Sequence, residues 1–268
     1  MGIVNRTPDS FFDGGRMELD ASVDFALGLV EEGADVLDLG GVRAGPGAEV
    51  SEDEEAERLL PLVEAIAART DTPLSVETGR AAIAHRAVEL GARYLNDVTG
   101  LADPELADAC SASGATLVLM HHGGQIRGRP LNPRYDDVVA SVRDEWERLA
   151  SIARGHGVTD EGIVVDPGLD FGKNTFHSLE LMRRIDELVD VPWPVLIAAS
   201  RKDVVGETLG APPDQRLEGS LTLAALAARA GAAIVRVHDV AATVRVVRMA
   251  DAVAGTRPPI APVRGLWE

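Results

Sequence analysis

The chain has 268 residues, 46% of them hydrophobic but only 4% aromatic, so a core of Ala, Val and Leu within one large domain is expected. Forty-three acids against 26 bases give a net charge of −17, which disfavours nucleic acid and anionic membrane surfaces as partners. Cys110 is the only cysteine, which excludes an intrachain disulfide; in its Ala-rich setting it reads as an inert buried thiol.

In chain order, strands are predicted over 2–5, 35–39, 74–77, 94–97, 116–121, 162–166, 195–198 and 233–238. Helical patterns follow them over 21–32, 52–69, 80–90, 104–113, 135–155, 176–188, 215–230 and 240–253. Ser51 before acidic residues and Asp103-Pro104 read as helix starts. Gly33, Gly91, Gly114 and Gly231, each followed by Ala, fit the left-handed turn that stops a helix. Eight strand-then-helix units without a linker or composition break predict an α/β fold, a single-domain (β/α)8 TIM barrel over residues 1–268. A doubly wound open sheet is the alternative. No apolar run approaches the roughly 18 residues of a membrane span and no leader pattern is seen, so a cytoplasmic location is expected. Met1 lies so close to the first motif that an upstream segment is either missing or dispensable.

The strand ends carry the chemistry. Ile163-Val-Val-Asp166-Pro-Gly168 is a β-branched run that delivers a carboxylate to a tip where Pro and Gly turn the chain. Asp38, Asp97 and Asp239 close other apolar runs, and Glu77 and Asn96 stand at the third and fourth tips. Acids and amides converging at the strand ends are how such a barrel builds a site. Asp166, Asn96 and the third-strand acid are acceptor-rich and suit a ligand with a row of N–H donors, such as an aminopyrimidinone. The loops after strands seven and eight often hold phosphate in barrels, and here they supply Ser200-Arg201-Lys202 and Arg236-Val-His238. A planar Arg fork fits phosphate oxygens; solvated surface bases are the plain reading.

The loop from Asn5 to Gly15, with Asp9 and Asp13, offers acids and an amide to a metal or leaving group, although an ordinary Pro/Asp/Gly turn accounts for it too. The glycines of 38–47 match neither a Walker loop nor a dinucleotide fingerprint. His121 and His122 are neighbours on a strand and point to opposite faces, so they read as site lining or a satisfied core histidine rather than a zinc pair.

Taken together, these motifs resemble the dihydropteroate synthase family of the pterin-binding superfamily. The match runs from Gly2-Ile-Val-Asn5 with Thr7-Pro-Asp-Ser-Phe11 and Asp13-Gly-Gly15, through Asp38-x-Gly-Gly41, Asn96-Asp97-Val98 and Asp166-Pro-Gly168 with Phe171-Gly-Lys173, to Ser200-Arg-Lys202 and Arg236-Val-His238. Any one motif is weak; six in order on an eight-unit barrel are specific. The resemblance implies that Asn96 and Asp166 hold the pterin ring, with Glu77 below it. Lys202 would reach the ring carbonyl and Arg201 would line the other side. Arg236 and His238 would clamp a diphosphate. Asn5 would bind Mg²⁺ on that diphosphate, and Asp13 would act from the first loop. The implied catalytic set is thus Asp13, Lys202, Arg236 and His238. The implied reaction joins 6-hydroxymethyl-7,8-dihydropterin diphosphate to p-aminobenzoate with loss of diphosphate, in a homodimer.

Four departures from the family pattern stand out. Val42, Arg43, Ala44 and Gly45 occupy the positions of a Glu-Ser-Thr-Arg run that helps form the p-aminobenzoate pocket, with Arg43 a candidate substitute two residues early. Glu77 replaces an aspartate, extending its carboxylate by about 1.5 Å, one bond length. Arg6 replaces a small apolar residue. His122-Gly123-Gly124 stands where Met-Gln-Gly is usual. These gather on the second-substrate side, so a paralogue that binds pterin but condenses it weakly or not at all is the alternative. A methyltransferase that passes a folate methyl to a corrinoid is a third reading, disfavoured by the anion motifs.

Overall fold

Parallel strands need long crossover connections, and every strand here is followed by at least one helix. The computed structural model describes residues 1–5, 16–42, 50–124 and 132–264. Within them the chain runs β1 (Gly2–Asn5), α1 (Arg16–Glu31), β2 (Leu37–Gly40), α2 (Glu52–Ala67), β3 (Leu74–Glu77), α3 (Ala81–Glu89), β4 (Tyr94–Asp97) and α4 (Leu106–Ser113). It continues through β5 (Thr116–Met120), α5 (Val138–Gly155), β6 (Ile163–Asp166), α6 (Thr175–Arg183), α7 (Ile185–Val189), β7 (Leu196–Ile197), α8 (Asp203–Leu209), α9 (Leu217–Ala230), β8 (Ile234–Val235) and α10 (Val240–Ala254).

Strands β1 to β6 form one parallel sheet in chain order, and β7 pairs with β8. Parallel bridges from Val165 to Val195 and from Gly2 to Val237 join both edges of the larger sheet to that pair. At these seams Val165 N–H donates to the Pro194 carbonyl and Ile3 N–H to the Val237 carbonyl, both at 3.0 Å. The predicted (β/α)8 barrel is thereby the observed architecture.

Alternation along each strand divides the core in two. Val4, Leu37, Leu39, Leu74, Val76, Leu95, Leu117, Leu119, Ile163 and Val165 pack outward against the helices. The residues between them point inward. Low in the barrel these are apolar, with Val118, Val164, Leu196 and Ala198 packed beside Met1, Tyr94 and Ile234. One step further along the same faces they become Glu77, Asn96, Asp166 and Arg236. An apolar plug thus closes the lower barrel and polar groups fill its C-terminal end.

Several boundaries differ from the expectation. The predicted helix over 176–188 breaks at Arg184 (φ −103°, ψ 31°) into α6 and α7. Helix α8 was not predicted; it is only seven residues long, too short to show a helical period. Strands β7 and β8 are two residues each, because the chain turns into site loops immediately after them. Ser51 caps α2 as expected, accepting from Glu54 N–H at 3.2 Å. Asp103, expected to start the helix after it, instead accepts from Ala81 N–H at 2.8 Å and so caps α3, whose own N-cap residue, Arg80, makes no side-chain cap bond. The expected stop glycines all have positive φ, from 74° at Gly114 to 103° at Gly91. Among the described residues no helix is long and apolar enough to cross a membrane.

Candidate active site at the strand tips

Asp38 is the centre of the polar layer. It is fully buried, and its Oδ1 accepts from Ser75 Oγ at 2.5 Å. Asn96 Nδ2 lies 3.4 Å from both of its oxygens. Arg236 crosses the barrel to reach it, donating from Nε to Asp38 Oδ2 at 2.5 Å and from Nη2 to Glu77 Oε2 at 2.6 Å. Burial pushes the Glu77 carboxyl up to about 7, outweighing the pull of Arg236, which is shared with Asp38. Burial acts to lower the Arg236 guanidinium, but Asp38 and Glu77 more than offset it and keep it charged. Asn5, at the tip of β1, directs its side chain over Gly40, where an added Cβ would lie 3.0 Å from Asn5 Oδ1.

Asp166 forms the other side of the layer. Its Oδ1 accepts from Gly168 N–H at 2.7 Å, and its backbone carbonyl accepts from Trp146 Nε1 at 3.0 Å. Burial raises its carboxyl against the opposing pull of Lys202 and the Gly168 N–H. Gly168 has φ 62°, and a Cβ there would sit 2.1 Å from the His121 carbonyl oxygen; only glycine fits this turn.

The loop after Asp166 folds around Lys173. This lysine is 3% exposed, and its Nζ contacts His121 Nδ1 at 2.7 Å and the carbonyls of Phe171, Gly168 and His121 at 2.9, 3.0 and 3.1 Å. Burial lowers the ammonium to about 7. Burial and the adjacent Lys173 take His121 down to about 3, so its Nδ1 is neutral and accepts. Asp170, at φ 68°, binds Ser178 Oγ through Oδ1 and caps α8 through Oδ2, which accepts from Val204 N–H at 3.0 Å. That cap fixes Lys202, whose Nζ donates to the Leu169 carbonyl at 2.8 Å and lies 5.0 Å from the centre of the Phe171 ring.

At the rim, Arg201 is held at φ 57° and grips Asp239 with Nε and Nη2 at 3.0 and 2.6 Å. His238 has its Nδ1 3.1 Å from Ser200 Oγ. Burial first, then Arg236 and Arg201, push the imidazole down to about 4, so it is uncharged at neutral pH. The Glu55 carboxylate, joined to Thr78 Oγ1 at 2.7 Å and paired with Arg80, lies beside the stems of the second loop. Arg80 Nη2 donates to the Val50 carbonyl at 2.6 Å and Arg58 Nη1 to that of Gly41 at 3.4 Å.

The structure therefore gathers Asn5, Glu77, Asn96, Asp166, Lys202 and Arg236 around one axis, with Arg201 and His238 at its edge. Asp13 and Arg43 lie outside the described residues. Two residues given no role by the sequence reading matter here. Asp38 is the acceptor on which Ser75, Asn96 and Arg236 converge, signalled by an acid closing an apolar run. Lys173 organises the Asp166 loop, with no signal beyond its place in the Phe171-Gly-Lys173 motif. A separate cavity of about 1200 Å³ lies beside α5, lined in part by His122, Tyr135, Asp144, Glu145 and Arg148. It draws on the loops after β5 and β6, through His121, His122 and Gly172, whereas the axial group joins residues from the ends of β1, β3, β4, β6 and β8 and is the better site. Among the described residues no cluster of three or more His, Cys, Asp or Glu side chains is placed to hold a metal.

Buried acceptors at the C-terminal face of a parallel barrel define a site for a small ligand with a donor-rich edge. The chain matches the family model for pterin binding enzymes over residues 1–238. It is 48% identical to "inactive dihydropteroate synthase 2" of Mycobacterium leprae, covering 99% of this chain and 94% of that one. It is 39% identical to the dihydropteroate synthase of Escherichia coli K12, covering 94% and 90%. The structure of Xanthomonas albilineans dihydropteroate synthase with 4-aminobenzoic acid superposes with a TM-score of 0.88 at 41% identity, covering 94% and 92%. The chain belongs to the pterin-binding enzyme family, among the dihydropteroate synthases and their paralogues.

Proposed function

We propose that this protein binds a reduced pterin at the strand tips and that its capacity to condense that pterin with p-aminobenzoate is weak or absent. The observation that carries the first part is the buried acceptor layer of Asp38, Glu77, Asn96 and Asp166. A pterin presents a row of N–H donors, and carboxylate and amide oxygens at the strand tips are the acceptors that suit them. In this reading Asn96 and Asp166 take the ring donors, Glu77 sits beneath, Lys202 donates to the ring carbonyl and Arg201 lines the open side. The second part is supported by the greater identity to the inactive paralogue and by the altered 42–45 sequence.

The synthase reaction is the second reading, supported by the likeness to the E. coli enzyme and to the structure with 4-aminobenzoic acid. In it the pterin methylene C–O bond breaks, the diphosphate leaves with the electron pair, and the amine nitrogen forms the new C–N bond and loses a proton. Arg236 and His238 would stabilise the departing charge, with Arg236 exchanging a carboxylate for phosphate. Asp13 and Arg43 would act from the first two loops. Asn5 offers one hard oxygen to Mg²⁺; that ion would neutralise phosphate charge and, keeping several waters, would be carried mainly by the ligand's oxygens. We further place the protein in the cytoplasm as a homodimer, for which the exposed Leu226 of α9 and Met249 and Val253 of α10 offer apolar surface.

Calorimetry with 6-hydroxymethyl-7,8-dihydropterin tests the ring assignment. Asp166→Ala is expected to abolish binding, and unchanged affinity would sink the assignment. Following diphosphate and dihydropteroate separately during turnover with p-aminobenzoate and Mg²⁺ distinguishes the two readings. Dihydropteroate formed near one per second, an ordinary enzyme rate, would establish the second.

A further inference from the structure

The cations around the mouth are already committed. Arg236 is shared between Asp38 (2.5 Å) and Glu77 (2.6 Å). Arg201 is forked onto Asp239. Lys202 is bonded to the Leu169 carbonyl and faces Asp166. His238 carries no charge at neutral pH and is bonded to Ser200. Above pH 7, where Glu77 is ionised, the carboxylates of Asp38, Glu77, Asp166 and Asp239 thus outnumber the cations Arg236, Lys202 and Arg201 among the described residues of the mouth.

We infer that this mouth gives an anionic side arm no advantage: among ligands with the same pterin ring, it holds an uncharged hydroxymethyl arm about as firmly as a diphosphate arm. The determinant is the Asp38–Arg236–Glu77 bridge. A phosphate that draws Arg236 away leaves two buried carboxylates without their counter-ion, the costly way to break a buried pair. A phosphate that leaves the bridge intact meets described residues whose carboxylates outnumber their cations. An alcohol incurs neither cost. Glu77 is the specificity residue within the bridge, because it adds the second carboxylate to an arginine that Asp38 already pairs. The inference rests on the ring assignment above.

The test is calorimetry on the wild-type protein at pH 8 in EDTA, comparing 6-hydroxymethyl-7,8-dihydropterin with its diphosphate. The two affinities are expected to differ by less than tenfold. A diphosphate bound tenfold or more tighter overturns the inference and leaves the ring assignment standing. Failure of both ligands to bind overturns the ring assignment, and the inference with it. In Glu77→Gln, which keeps the side-chain shape and removes the charge, the affinity ratio is expected to move about tenfold towards the diphosphate. An unmoved ratio in the folded variant overturns the role of Glu77, and the wild-type comparison stands whether or not the variant folds.

Discussion

Replacing Lys173 by Met tests how the Asp166 loop is built. The substitution keeps the length of the apolar stem and removes every donor from a site that holds three carbonyls and His121 Nδ1 within 3.1 Å of Nζ. Two effects oppose each other. Leaving buried carbonyls without a donor costs about 1–3 kcal/mol for each group that water cannot reach. Against this, the wild type keeps an ammonium whose proton affinity has fallen from the ordinary 10.5 to about 7. At about 1.4 kcal/mol per decade, that is a penalty on the order of 5 kcal/mol at and below pH 7, and methionine escapes it. Between 7 and 10.5 the unfolded chain binds this proton and the folded chain does not, so wild-type stability rises with pH through that window. Methionine has no such dependence. The stability gap between the two proteins, small at pH 7, is therefore expected to widen by about 2–3 kcal/mol by pH 9. Urea unfolding of both proteins at pH 6, 7, 8 and 9 measures it. A gap that stays flat, or is largest at pH 6, would refute the account of a charged lysine strained by burial. The same loop carries Asp166 and the Leu169 carbonyl that fixes Lys202, so pterin affinity should fall as well.

Two further outcomes follow from the geometry. Gly168→Ala forces a left-handed residue and drives its Cβ into the His121 carbonyl; a loss of about 3 kcal/mol or more is expected from strain and clash together, and an unchanged melting temperature would contradict it. Glu77 binds its proton more tightly when folded, because burial has raised it from 4.5 to about 7. The wild type should therefore lose stability as pH rises through that window while Glu77→Gln does not, and parallel pH profiles for the two proteins would falsify the burial argument.

Much of this molecule is legible in the sequence because the period of two does the sorting. Once Leu37 and Leu39 face the helices, Asp38 must face the axis, and the same parity carries Glu77, Asn96, Asp166 and Arg236 inside. Glycine followed by alanine marks helix ends for a local steric reason. What depends on distant partners is not legible in the same way. Arg236 and Glu77 are 159 residues apart, and Arg201 and Asp239 are brought together by neighbouring loops. A sequence reading therefore sees bases available for phosphate where the fold has placed salt bridges. Asp103 reads as a cap for the helix it precedes because local rules assume local partners, yet its acceptor is taken by Ala81 of α3. Helix α8 escapes because its start is fixed by Asp170, 34 residues earlier than Val204.

The bridge that limits phosphate binding also bears on how the barrel closes. Strand β8 has two residues and pairs with β7 over two positions, and it is joined to the β1 segment by the Gly2–Val237 bridge, by Ile3 N–H to Val237 O and Val237 N–H to Met1 O, and by the Met1 ammonium to Val235 O at 3.0 Å. Few ladder bonds hold this seam. Arg236 adds a second attachment of another kind, running across the interior from β8 to Asp38 of β2 and Glu77 of β3. A ligand that took the guanidinium for itself would remove this cross-barrel attachment from the end of β8. A ligand that uses Asn96, Asp166 and Lys202 and leaves Arg236 in place would bind to a ring that stays closed. Stability of the seam and tolerance of an uncharged arm are thus two consequences of the same two ion pairs.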